Sequence, residues 1–289
     1  MLLQLLLSGI AQGSIYALVA LGMTALFRAT TIVNFGHGEL FMFGAFAVYV
    51  MINVAGLPFL PAAVLSIMLA FVLGMLIERV LIRPMGEASH LALAMMTVAV
   101  SFLLRGVARF FWGREVLPMP PVFSFPPIEI GGLVVTTQDL LIGGTTLFFV
   151  ILFFLFFNRT KLGRVARAAA SNPRGAALVG VNMPAFQSSM WGFVAALGAL
   201  AGILVAPVTL LYPDMGASVL IRAFAAMTLG GFGHPVGAVV GGLLIGVLEQ
   251  LSGGYLSTAL IDIFAFLVII AVLIVKPSGL LGSKEVVRV

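Results

Sequence analysis

The sequence predicts an all-α fold, a polytopic transmembrane bundle of eight or nine membrane segments, and three observations carry that prediction. Of 289 residues, 62% are hydrophobic and 9% charged, where a soluble domain carries about 25% charged residues. The mean hydropathy is +1.21. No globule hides that much apolar side chain, since even a 300-residue domain buries only about 75% of its extended surface. Apolar stretches of about 20 residues, the length a helix needs to cross a bilayer, recur along the whole chain. These properties exclude a soluble enzyme, a nucleic-acid binder and a disordered tail.

The spans follow in order. The start, from Met1 to Leu5, has no basic segment and no convincing cleavage site, so it reads as mature chain rather than a removed signal. Apolar runs then place helices near 5–27, 36–56, 61–81, 91–111, 139–158 and 186–208. The run from Phe148 to Phe157 is apolar on every side, which fits a lipid-immersed helix and not the alternation of a membrane strand. Residues 215–276 allow two readings. They hold either two long spans, or shorter segments near 216–230 and 235–252 followed by a span near 257–276, with a broken or re-entrant element among them.

Basic residues set the orientation. Arg159, Lys161, Arg164, Arg167 and Arg174 follow one another with no acidic residue between them, which places this loop in the cytoplasm. Counting backwards puts Arg28, Arg79 and Arg83 on the same side and the first residues outside. The proline-rich segment 113–138, with Pro118, Pro120, Pro121, Pro126 and Pro127, becomes the external loop. Lys276, Lys284 and Arg288 reach the cytoplasm only with nine crossings or a re-entrant pair. The chain reads as one transmembrane domain, 1–289, with a cytoplasmic loop at about 159–185.

That loop has the composition of helix. Leu162 to Ala170 is rich in alanine and arginine, Pro173 interrupts, and Arg174 to Gly180 resumes a short helix. Two roles stay open: basic residues that only fix topology and touch anionic head groups, or a small docking element for a cytoplasmic protein. The small residues Ala168, Ala169, Ala170, Ala176 and Ala177 favour docking, because topology alone needs charge and not close packing.

Polar residues at membrane depth are the other candidates, since an ionisable group there is expensive unless it is paired or faces water. Asn34, His37 and Glu39 lie together, with Gly36 and Gly38 flanking the histidine. This is either the loop after the first span, with Glu39 capping the next helix, or part of a translocation path or gate. Gln12 and Tyr16 are one turn apart and share a face. A second glycine-rich cluster runs through Gly233 and His234 to Gly246. Its small residues at spacings of four suit close helix packing, and a hinge before Pro235 is the alternative. Phe-Gly-His occurs at both 35–37 and 232–234, a weak hint of internal duplication. Arg105 and Arg109 share a face and either snorkel outward or meet a carboxylate such as Glu249 or Asp262.

Some chemistry is missing from the sequence. There is no cysteine, so disulfides and thiolate metal sites are excluded. No P-loop motif occurs, so any ATP hydrolysis belongs to another chain. No cofactor or metal site is expected.

Taken in order, several blocks resemble the permeases of branched-chain amino-acid ABC transporters, the H-type subunit rather than the M-type. They are Gly13-Ser14-Ile15-Tyr16 through Gly22, Val33-Asn34-Phe35-Gly36-His37-Gly38-Glu39, Arg83-Pro84-Met85, Thr160-Lys161-Leu162-Gly163-Arg164 with Arg167-Ala168 and Asn172-Pro173, Leu229 to Gly242, and Lys276 to Gly282. The departures are Gly36, often alanine in the family, and His234, where serine is common. The resemblance implies a non-enzymatic subunit of a bacterial inner-membrane heterodimer. Its partners would be an M-type permease, two cytoplasmic ATP-binding subunits and a periplasmic or extracellular solute-binding protein, besides membrane lipid; nucleic acid is not among them. Leucine, isoleucine and valine are the usual cargo, and related systems carry urea, short-chain amides or other amino acids. A self-contained channel or ion-coupled carrier is the alternative from another class. Expected site residues are Gln12, Tyr16, Asn34, His37, Glu39, Gly233 and His234 for the path or gate. Leu162, Gly163, Arg164, Arg167, Ala168, Asn172, Pro173 and Ala176 are expected to contact the ATPase.

Overall fold

The computed structural model describes residues 1–86, 88–119, 126–130, 133–258 and 260–282. Pro120, Pro121, Lys284 and Arg288 fall outside these residues, as do the side chains of Leu162 and Asp262. The architecture is a helical bundle: α1 (Leu2–Thr30), α2 (His37–Asn53), α3 (Phe59–Ile77), α4 (His90–Trp112), α5 (Thr137–Arg159), α6 (Lys161–Ser171), α7 (Pro173–Leu178), α8 (Met183–Thr209), α9 (Met215–Gly230), α10 (Pro235–Tyr255) and α11 (Leu260–Val275). Every span expected from hydropathy is a helix. The 215–276 ambiguity resolves into three separate helices, α9 to α11, and not into two long ones. At 16 residues, α9 is about 24 Å long, shorter than the hydrocarbon core.

Local chemistry sets the ends. α3 continues through a π-helical turn (Glu78–Ile82) and a 3-10 turn (Arg83–Met85). There Glu78 takes both Arg83 and the Ser188 hydroxyl of α8. Thr136 and Asp139 form a reciprocal capping box at the start of α5. Ser89, Thr160, Asn172 and Asn182 cap α4, α6, α7 and α8 through side-chain oxygens. Among its described residues, the proline-rich segment 113–138 holds an element that hydropathy did not reveal. This is an antiparallel hairpin of β1 (Ile128–Ile130) and β2 (Leu133–Val135), whose Val134 backbone is held at both ends by the Gln4 amide.

α1 and α8 form the centre of the bundle. From Gly13 to Leu26 every residue of α1 is buried, and so is nearly all of α8 from Met190 to Ala206. The outer helices keep a lipid-facing side, such as Leu60, Val64, Met68 and Val72 on α3. Lipid is as apolar as leucine, so burying hydrophobic surface does not drive helices together here; close packing of small residues does. α10 lays Gly242 and Gly246 against Ala17 and Gly13 of α1, while Gly237 and Gly241 meet Gly230 and Ala226 of α9. At these positions an added Cβ would overlap the neighbouring backbone. The small-residue spacing expected at this helix is thus a packing device on two faces. Gly233 does not join it: it sits in the α9–α10 turn with φ 74°, a backbone that favours glycine.

Candidate functional site

The chain between α1 and α2 folds back into the bundle. Thr31 takes a left-handed conformation (φ 58°), and residues 32–36 run inward beside α1 and α4. The His37 ring packs against Gly22 of α1 and Gly198 of α8. Gly22 lies eight residues before the end of α1, about 12 Å inside it. α2 therefore begins inside the bundle, alongside the body of α1. Asn34 caps the turn by accepting the Gly36 N–H at 2.9 Å, and Thr97 of α4 accepts the Phe35 N–H at 3.1 Å. The sequence placed its broken or re-entrant element within 215–276, and this inward segment lies outside that range.

Glu39 does not merely cap a surface helix. It is 1% exposed and reaches across to α4, where Ser101 donates to it at 3.1 Å and Arg105 at 2.5 Å. Arg105 also stands 3.5 Å from Asp214, which Arg109 binds through both carboxylate oxygens at 2.6 and 2.8 Å. The arginine pair thus meets Glu39 and Asp214, neither of which the sequence reading had offered as a partner. Asp214 leads into α9, and Gly38 of α2 lies against Gly216 of α9, each leaving no room for a Cβ on the other. One chain of ionic contacts joins the starts of α2 and α9 through α4.

Gln12 and Tyr16 line a separate cavity of about 280 Å³ between α1, α2, α8, α9, α10 and α11. The Gln12 amide donates to the Tyr16 hydroxyl at 2.9 Å. Glu249 of α10 is buried and accepts from the Arg222 Nε of α9 at 2.6 Å. Arg222 was absent from the sequence expectation. An arginine at the middle of an apolar helix was the signal that would have found it.

The expected loop forms a platform of two short helices, α6 and α7. One side is packed: Ala166, Ala169 and Ala176 are buried, and Gly163 sits on the carbonyls of Phe156 and Phe157. The other side is open, with Arg164, Ala168, Asn172 and Pro173 exposed. At its tip Leu178 is 89% and Val179 82% exposed, two apolar residues that sequence reasoning missed. His234 caps α10, its Nδ1 accepting the Gly237 N–H at 3.1 Å. It lies beside Arg167 at the root of the platform and so is not brought together with Asn34, His37 and Glu39. Among the described residues no group of histidine and carboxylate side chains could hold a metal ion.

A helical bundle with broken helices, buried ion pairs and an apolar-tipped platform defines a polytopic transport permease. The family profile described as the branched-chain amino acid transport system / permease component matches residues 5–273. The branched-chain amino-acid permease protein LivH of Escherichia coli K12 is 31% identical to this chain, over 99% of the chain and 97% of LivH. BraD of Pseudomonas aeruginosa is also 31% identical, over 99% and 98% respectively. A LivH described as probable, from Methanocaldococcus jannaschii, is 27% identical over 94% and 90%. In fold the chain is similar to a chain of PsaBC from Streptococcus pneumoniae in complex with Fab, with a TM-score of 0.51, 13% identity, and coverage of 94% and 91%. The chain belongs to the branched-chain amino-acid transport permease family. It is a multi-pass inner-membrane permease component of an ABC importer and not an enzyme; ATP hydrolysis belongs to separate subunits.

Proposed function

We propose that this chain moves leucine, isoleucine and valine across the membrane, paired with an M-type permease, powered by two cytoplasmic ATPases and supplied by a solute-binding protein. The observation that carries the cargo reading is the cavity at Gln12 and Tyr16. Its wall sets a cation and an anion, Arg222 and Glu249, beside the aliphatic side chains of Val205, Val219 and Ile261. An aliphatic amino acid is a zwitterion on a short apolar stem. The paired charges match its carboxylate and ammonium, and the aliphatic wall matches the stem. Urea has no net charges and no stem for that wall.

In this reading ATP-driven closure of the partner ATPases moves the platform of α6 and α7, and α5 and α8, which flank it in sequence, pass the motion into the bundle. The linked starts of α2 and α9 are where the path opens and closes, with Asn34, His37 and Glu39 beside it. The test is uptake by the complete importer reconstituted in proteoliposomes with its binding protein. Labelled leucine should accumulate on addition of ATP and labelled urea should not. Accumulation of urea alone would overturn the cargo assignment.

A further inference from the structure

At the root of the platform, one cavity gathers cationic groups without an anion. It measures about 250 Å³ and lies between the ends of α1 and α5, the body of α6 and the start of α10, with Arg28, Asn158, Arg167 and His234 among its walls and no carboxylate. Neither Arg28 nor Arg167 forms an ion pair with any described residue. The Arg167 Nη1 is shut away from solvent without a hydrogen-bond partner, and enclosing an unsatisfied guanidinium N–H is costly unless something completes it. His234 accepts the Gly237 N–H at Nδ1, which in the neutral ring leaves the proton on Nε2 as a donor. Donors that lack an acceptor define a place for an anion.

Two further features say which anion. Arg28 and Asn158 lie in the last turns of α1 and α5, helices long enough to cross a membrane, so the cavity sits at head-group depth. Its remaining wall is apolar, with Phe153, Phe154 and Phe157 of α5 beside alanines, Pro235 and Val236, and Phe154 and Phe157 are neither fully buried nor fully exposed. We propose that this cavity binds the phosphate of an anionic phospholipid. Arg28, Arg167 and the His234 ring hold the phosphate oxygens, a geometry the arginine fork suits, and the phenylalanines flank the acyl chain. Free inorganic phosphate shares the head-group chemistry but leaves the apolar wall without an occupant. The bound lipid ties α6 to α1, α5 and α10.

Native mass spectrometry of the full-length chain in detergent, titrated with phosphatidylglycerol, reads the site. Wild type should retain about one lipid per chain, and the double variant Arg28→Gln/Arg167→Gln should bind it about tenfold more weakly. Lys161→Gln, on an exposed position of the same helix, should stay within about twofold of wild type. The double variant removes two charges and its folding is at risk, so Ala170→Met is measured beside it. That change fills the cavity, whose wall includes Ala170, while keeping both arginines, and it too should weaken binding. Wild-type affinity in both cavity variants, or an equal loss in Lys161→Gln, would overturn the site. Inorganic phosphate at the same concentration should leave the lipid bound; displacement would overturn its assignment to a lipid.

Discussion

Glu39 occupies a place where an unpaired carboxylate is most expensive, and its neighbours explain how it is held there. Ser101 and Arg105 supply hydrogen bonds and a counter-charge within 3.1 Å. Removing one partner of a buried pair strands the other, at a cost of about 3 kcal/mol or more. Glu39→Gln should therefore lower thermal stability in detergent, Arg105→Gln should do the same, and the double variant should lose much less than the sum. Additive losses in that cycle would mean that the pair contributes no coupling. The sequence showed that these groups lay at membrane depth but not whom each one met. Arg105 and Arg109, one turn apart, had several distant carboxylates to choose from, and the choice was made by how α2 and α9 begin, a tertiary fact with no local signature.

At the scale of elements, the contact between α2 and α9 depends on two glycines. A Cβ on Gly38 would overlap the Gly216 carbonyl, and one on Gly216 the Gly38 carbonyl. Gly38→Ala should push the two helix starts apart, cost about 1–3 kcal/mol of stability and reduce uptake. Gly106→Ala on α4 meets open space and should leave stability unchanged or slightly raised. Equal melting temperatures for the two variants would remove the crossing from the mechanism. The platform makes a complementary prediction. Leu178 and Val179 project from its tip while Arg164 stands exposed on α6. Leu178→Asp and Arg164→Glu should each reduce ATP-driven uptake at least tenfold, about 1.4 kcal/mol of lost coupling, with membrane insertion intact. Unchanged uptake in both would remove the docking role. Both platform helices were legible because alanine, arginine and a single proline decide short exposed helices locally. The β1–β2 hairpin was not, since three-residue strands in a proline-rich loop carry too little alternation to register.

The whole molecule is where composition spoke most clearly, because the bilayer leaves helices as the solution for a chain this apolar. Hydropathy located the spans within a few residues. It did not show that α2 starts about 12 Å inside the end of α1, since apolar length counts residues and not depth. Orientation rests on charge, and the absence of cysteine makes it testable without background. Gln4 and the β1–β2 hairpin hold together, and Leu117 pairs with Leu211, so the first residues, the loop after α4 and the end of α8 share one face. Arg28, the end of α5 and the α9–α10 turn share the other. A cysteine at Glu115 should react with a membrane-impermeant maleimide added to intact cells. One at Arg174 should react only after the membrane is opened, because the positive-inside rule assigns the basic loop to the cytoplasmic side. The reverse pattern would put the platform outside, away from any ATPase, and the route from nucleotide to permease would have to be drawn through a different surface.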